Sequence, residues 1–168
     1  MNFLFLDIDG VLNDHTFDER AGSNTLDYKN IKYLNAIIDK FNPQIVLTSA
    51  WRYMITRKGM TLAGFSYMLR THRVSKNVNL VGTTDEDGQI DFNQAKAGIE
   101  HRRLQILRYI AANITPTYND DKIVIIDDLP LGPIDLITKR ENSIFVQTDG
   151  KVGLSKKEYQ EIKKFYET

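Results

Sequence analysis

Two aspartates, Asp7 and Asp9, stand where the apolar run ending in Phe5-Leu6-Asp7-Ile8 breaks into a turn at Gly10. Alternate side chains of a strand share a face. Both carboxylates therefore leave the strand together, and the turn that Gly10 permits re-aims the second. Unit charges about 4 Å apart repel by roughly 4 kcal/mol at an effective dielectric near 20, so such a pair shifts a pKa, binds a metal ion or sits at a solvated rim. Three further segments carry chemistry at the end of a strand or the start of a helix: Ile45-Val46-Leu47-Thr48-Ser49, Arg102-Arg103 and Ile123-Val124-Ile125-Ile126-Asp127-Asp128.

The elements that must position these groups alternate along the chain. Residues 2 to 8 read as a buried central strand. Asn13 to Ser23 is polar and reads as a short flap over its end. A helix should begin at Asn24 or Thr25, bury Ile31, Leu34, Ile37, Ile38 and Phe41, and stop before Asn42-Pro43. Gln44 to Thr48 is a second strand. Leu62, Phe65, Met68 and Leu69 recur at helical spacing, Val78 to Val81 is a short strand, and Thr83 to Asp91 is an acidic loop. A helix from about Gly98 to Asn113 should turn Leu104, Ile106, Leu107 and Ile110 inward. Lys122 to Asp127 and Ser143 to Val146 complete the strands, and Ser155-Lys156-Lys157-Glu158 has the form of a capping box opening a last helix. This order implies a single α/β domain over residues 1–168: a three-layer, Rossmann-like, mostly parallel five-stranded sheet with helices on both faces. Ligands of such sheets bind beyond the carboxyl ends of the strands, where these acids and hydroxyls fall.

Composition sets limits on function. At 168 residues, 42% hydrophobic and 26% charged, the chain suits one globule with a real core. Formal charge is zero, so nucleic-acid or membrane attraction would have to come from local patches. Cysteine is absent, which excludes disulfides, thiolate metal sites and a thiol nucleophile and fits a reducing, cytoplasmic location. Asp7 cuts the first apolar run short of a signal peptide or membrane span. The histidines His15, His72 and His101 are scattered, with His15 in the flap.

The ordered set of segments resembles the haloacid dehalogenase (HAD) superfamily, mostly magnesium-dependent phosphohydrolases, over nearly the whole chain. The resemblance implies that Asp7 is a nucleophile forming an aspartyl-phosphate and that Asp9 is the acid and base. It also implies that Asp7, Asp127 and Asp9, the last through its backbone carbonyl, hold Mg2+, with Asp128 ordering the metal through a water or hydrogen bond. Thr48 becomes the hydroxyl that fixes the phosphate, helped by the backbone of Ser49, whose own hydroxyl is the alternative. Arg102 becomes the base that neutralises phosphate, with Arg103 and Lys96 as competitors. Asp120 and Asp121, at the other end of their strand, read as turn residues, and Asp135 as a distant candidate.

No segment is long enough for a large cap, so the resemblance is to small capless members. Six basic residues, Arg52, Arg57, Lys58, Arg70, Arg73 and Lys76, follow the second motif without an acid between them, and Trp51, Tyr53, Phe65 and Tyr67 are interleaved. That stretch offers stacking and charge to nucleic acid, and Ser49-Ala50-Trp51-Arg52 resembles a Ser-Trp-Arg of members linked to nucleic-acid end repair. The expected substrate is a phosphate monoester, either a small molecule such as a nucleotide or the terminal phosphate of a nucleic acid. Two other readings remain open: a non-catalytic module binding nucleic acid or protein, and a metal-dependent nuclease using clustered acids.

Overall fold

The computed structural model describes residues 1–14, 25–84, 95–114, 121–138 and 140–168, with backbone alone for 95–97 and 136. Five parallel strands, β1 (Asn2–Leu6), β2 (Gln44–Leu47), β3 (Asn79–Thr83), β4 (Lys122–Asp127) and β5 (Ser143–Gln147), form one sheet in the order β3-β2-β1-β4-β5. The five α-helices among the described residues are α1 (Tyr28–Phe41), α2 (Tyr53–Thr56), α3 (Leu62–Thr71), α4 (Ala95–Asn113) and α5 (Lys156–Glu167). This is a Rossmann-like α/β fold without a large cap. The order reverses between β1 and β4, and such a switch point opens a crevice beyond the strands' carboxyl ends.

Strand alternation decides what faces that crevice. Leu4, Leu6 and Ile8 pack into one core with Ile31, Leu34 and Ile38 of α1 and with Ile162 of α5. Phe3 and Phe5 enter the other core, with Val46, Ile123, Ile125 and the Ile106, Ile110 and Ile114 stripe. The register pairs Leu6 with Leu47 and with Ile126. Extended by one residue, it sets Asp7 between Thr48 and Asp127, all on the second face. The ladders do run on: the Asp7 N–H donates to Ile126 O at 3.0 Å, and the Thr48 N–H to Leu6 O at 2.9 Å.

Helix α4 covers that face through Ile106, Ile110 and, just beyond its end, Ile114, spaced by four and each at most 5% exposed. Burying each isoleucine side chain is worth about 1.5–3 kcal/mol. This stripe fixes the helix's rotation and brings Arg102, one step earlier in the same spacing, over the strand ends. Leu104 and Leu107, expected inward, are exposed at 41% and 39%. The inward positions around Ile106 are taken instead by Arg102 and Gln105, which serve the site.

Other boundaries move for local reasons. Helix α1 starts at Tyr28, not Asn24 or Thr25, because Asp27 is its N-cap and accepts the Lys29 N–H at 3.0 Å. The capping box of α5 is present, with the Ser155 N–H donating to Glu158 Oε2 at 3.0 Å. Tyr166 is buried in addition to Ile162, and its hydroxyl donates to Phe3 O at 2.9 Å.

Behind the site, Gly153 has φ +73°, and a Cβ there would lie 2.6 Å from Asn30 Nδ2 and 2.9 Å from Val11 O. The same turn sends the Leu154 N–H to Val11 O at 2.7 Å, bracing the chain just after Gly10. Gly153→Ala is expected to cost about 1–3 kcal/mol from the backbone conformation alone, read as a lower urea midpoint with an unchanged slope.

Candidate active site

The first half of the site is the end of β1. Gly10 has φ +73°, and a Cβ on it would lie 2.5 Å from Asp128 Oδ2, so the turn closes against that carboxylate only because glycine carries no side chain. The Gly10 carbonyl accepts the Thr148 hydroxyl at 2.8 Å, and the Gly10 N–H donates to Asn13 Oδ1 at 3.0 Å. The turn separates the two acids as the sequence suggests. Asp7 stays at the strand end, 4% exposed. The Asp9 carboxylate turns to the indole N–H of Trp51, at 3.0 and 3.1 Å to its two oxygens, and to Asn13 Nδ2 at 3.1 Å.

Asp7, Asp127 and Asp128 each offer a carboxylate oxygen within 4.8 Å of the others. Asp127 is fully buried, with Oδ1 accepting the Leu129 N–H at 3.0 Å. Arg102 answers this charge. One of its terminal nitrogens lies 2.8 Å from Asp127 Oδ2, 3.3 Å from Asp7 Oδ1 and 3.3 Å from the Thr48 hydroxyl. Burial alone would lower the Arg102 pKa, but the charges of Asp7 and Asp127 outweigh it and hold it raised. Asp127 is pushed up to about 7, first by burial and then by Asp7 and Asp128, against the opposing pull of Arg102.

Three carboxylates around one guanidinium, two of them buried, make a donor set that suits a hard divalent cation taking oxygen ligands. The side-chain cluster differs from the expected set in one respect. Asp128, expected to act through a water or hydrogen bond, offers a carboxylate within it, whereas the Asp9 side chain lies with Trp51, leaving its backbone carbonyl as the group expected on the metal.

Asp127 makes metal-free stability depend on pH. Its folded pKa of about 7 exceeds the ordinary 3.8, so between those values the folded chain binds more protons than the unfolded chain. Its stabilising contribution is complete below about pH 4 and is lost as pH rises to 7. In chelator, the melting temperature of wild type relative to Asp127→Asn should therefore fall over that window. Magnesium at 100 times its Kd should restore about 2.7 kcal/mol, or roughly 5–10 °C, in wild type at pH 7 and much less in the variant.

The second half of the site is the turn after β2. Thr48 and Ser49 are both fully buried. The Ser49 hydroxyl caps the 3-10 turn Ala50–Arg52, accepting the Trp51 N–H at 3.3 Å, whereas the Thr48 hydroxyl meets Arg102. Arg52 folds back under the turn and donates to the carbonyls of Thr48 at 2.7 Å and Ser49 at 2.9 Å. It also reaches Gln105 Oε1 at 3.3 Å, and Gln105 Nε2 lies 2.7 Å from His101 Nε2. That amide orientation requires a neutral His101 protonated on Nδ1. Burial first, then the charges of Arg52 and Arg102, lowers its pKa accordingly. The sequence did not single out Arg52 or Gln105 as supports for this turn: Arg52 read as part of a nucleic-acid-binding stretch, Gln105 as an ordinary helix residue, and only the fold brings them together.

Of the competing bases, Arg103 donates to Leu131 O, away from the acids, and the side chain of Lys96 lies outside the described residues. His15 and Asp120 also lie outside them, and Asp135 is exposed on a 3-10 turn, apart from the cluster. The basic and aromatic stretch divides. Trp51, Arg52 and Phe65 are buried and belong to the site and the core, so they offer no surface to a nucleic acid. Tyr53 lies between Arg52 and Arg57, whose guanidinium carbons are 5.1 and 4.4 Å from its ring centre. Tyr67, Arg57, Lys58, Arg70, Arg73 and Lys76 remain exposed.

An all-parallel sheet with acids at its switch point, a hydroxyl on the adjoining strand and a buried arginine above them defines a Rossmann-like domain of the haloacid dehalogenase type. The chain belongs to the family described as the HAD domain in Swiss Army Knife RNA repair proteins, whose model matches residues 3–159. Comparison with curated proteins gave no match, and neither did comparison with solved structures. Among the described residues, no helix is long and apolar enough to cross a membrane.

Proposed function

We propose that this protein is a magnesium-dependent phosphatase that removes a terminal phosphate, as a monoester, from RNA or a related nucleotide. The observation that carries this reading is the register of β2, β1 and β4, which lines up Thr48, Asp7 and Asp127 on one sheet face beneath Arg102. Asp7 attacks phosphorus in line, and the bond to the leaving oxygen breaks as an acyl-phosphate forms on Asp7. Asp9 gives its proton to the departing alkoxide. It then takes a proton from water, which attacks phosphorus and frees Asp7 and inorganic phosphate. Arg102 and the Thr48 hydroxyl hold the equatorial oxygens, and Arg52 keeps the Thr48-Ser49 turn in place. Magnesium, held by Asp7, Asp127 and the Asp9 carbonyl with Asp128 beside it, would neutralise charge on the phosphoryl group.

The RNA end is supported by the family's membership in RNA repair proteins and by the exposed cations that follow the Thr48 turn. A panel of aryl phosphate, nucleotides, sugar phosphates and phosphate-ended RNA and DNA oligonucleotides, with magnesium or with chelator, tests the reading. Phosphate should be released with magnesium alone, and phosphate-ended RNA should have the highest kcat/KM. Internal cleavage without phosphate release would replace this reading with a nuclease. Salt-sensitive RNA binding that survives loss of Asp7 and Asp9, without phosphate release, would replace it with a binding module.

A further inference from the structure

Asp9 is held apart from the other acids by a specific device. Trp51, the single tryptophan of the chain, is 7% exposed, and its indole N–H lies 3.0 and 3.1 Å from the two Asp9 carboxylate oxygens. Asn13 adds a second N–H donor at 3.1 Å, uses its own oxygen to accept the Gly10 N–H, and donates to Thr25 O at 3.4 Å. A carboxylate that shares a bifurcated indole N–H and accepts an amide N–H is held in place from two sides. These bonds direct the Asp9 carboxylate away from the Asp7, Asp127 and Asp128 cluster, where a fourth negative group would compete for Arg102.

Trp51 is itself immobile for reasons that belong to the phosphate side. Its backbone N–H donates to the Ser49 hydroxyl, and the next residue, Arg52, pins the Thr48 and Ser49 carbonyls. Only Ser49 and Ala50 therefore separate Thr48, whose hydroxyl meets Arg102, from Trp51 on the 3-10 turn, whose indole meets Asp9. We propose that Trp51 is a positioning residue that sets the Asp9 carboxylate for proton transfer and ties its place to that of the Thr48-Ser49 turn. This rests on the reading of Asp9 as the acid and base of a phosphatase. A buried indole needs some acceptor for its N–H, and a merely structural bond would serve that need without influencing kcat.

Two measurements test it. The single indole Nε1–H gives one resonance in a proton–nitrogen correlation spectrum of the 15N-labelled protein. It should exchange slowly with deuterium and move upfield, well beyond its line width, in Asp9→Asn. Trp51→Phe keeps the ring in its slot and removes the donor. Folded by circular dichroism, it should lose about 10- to 100-fold in kcat with KM little changed, the cost of a misplaced catalytic group. An indole resonance that ignores Asp9→Asn, or a folded Trp51→Phe with wild-type kcat, overturns the proposal. Should Trp51→Phe fail to fold, Asn13→Ala, which removes the other donor to Asp9, takes its place, and a resonance that ignores Asp9→Asn still overturns the proposal. A wild-type protein that releases no phosphate would defeat the functional reading, while the resonance still decides whether Trp51 holds Asp9.

Discussion

Asp7→Asn should abolish phosphate release, by roughly 10⁴-fold or more if this carboxylate forms the covalent intermediate, because loss of a nucleophile removes a whole pathway and not a fraction of its stabilisation. The change is nearly isosteric. It also takes one negative charge from a cluster of three acids that faces Arg102. The metal-free variant should therefore melt no lower than metal-free wild type at neutral pH, so lost activity cannot be attributed to unfolding. Phosphate-release assays beside thermal melts in chelator check both halves of this expectation. Substantial activity in a well-folded Asp7→Asn would remove the nucleophile from the account.

Arg102→Ala is expected to have the second largest effect, on stability as much as on rate. The guanidinium is 14% exposed and contacts Asp7 and Asp127, the latter with no side-chain exposure. Removing one member of a buried pair leaves the other charge uncompensated, at a cost of about 3–5 kcal/mol. For a chain of this length that is roughly 6–20 °C in melting temperature. Arg102→Lys keeps the charge but replaces the rigid, planar guanidinium with a flexible, strongly hydrated ammonium, so it should recover much of the stability and little of the rate. Magnesium should recover part of the Arg102→Ala loss, because a divalent ion and the guanidinium answer the same carboxylates. Melts of both variants, with chelator and with magnesium, measure this directly.

Much of this was legible in the sequence because it depends on local rules. The apolar runs ending in Asp7, Thr48 and Asp127 gave away the strands, since a residue type that breaks a buried run marks the place where the sheet meets water. The Ser155 to Glu158 box marked the last helix by the same kind of local bonding. Parity explains why the site residues share a face, and parity is visible in any strand. What the sequence hid are contacts fixed by tertiary packing. The rotation of α4 depends on which of its leucines and isoleucines the sheet accepts, so Leu104 and Leu107 read as core although they are exposed. Trp51 and Arg52 read as a nucleic-acid surface because a tryptophan beside an arginine is ambiguous without knowing that the Asp9 carboxylate and the Thr48 carbonyl lie within reach. Asp128 read as an outer residue because the fit of Gly10 against its carboxylate appears only when the two turns meet.

The central claim is that phosphate passes through a covalent bond to Asp7. Turnover of an aryl phosphate with magnesium, quenched in acid and digested, should yield a peptide carrying one added phosphoryl group on Asp7, and none after chelation or in Asp7→Asn. Rapid turnover with an unmodified Asp7 peptide, or with the phosphoryl group on another residue, would contradict it.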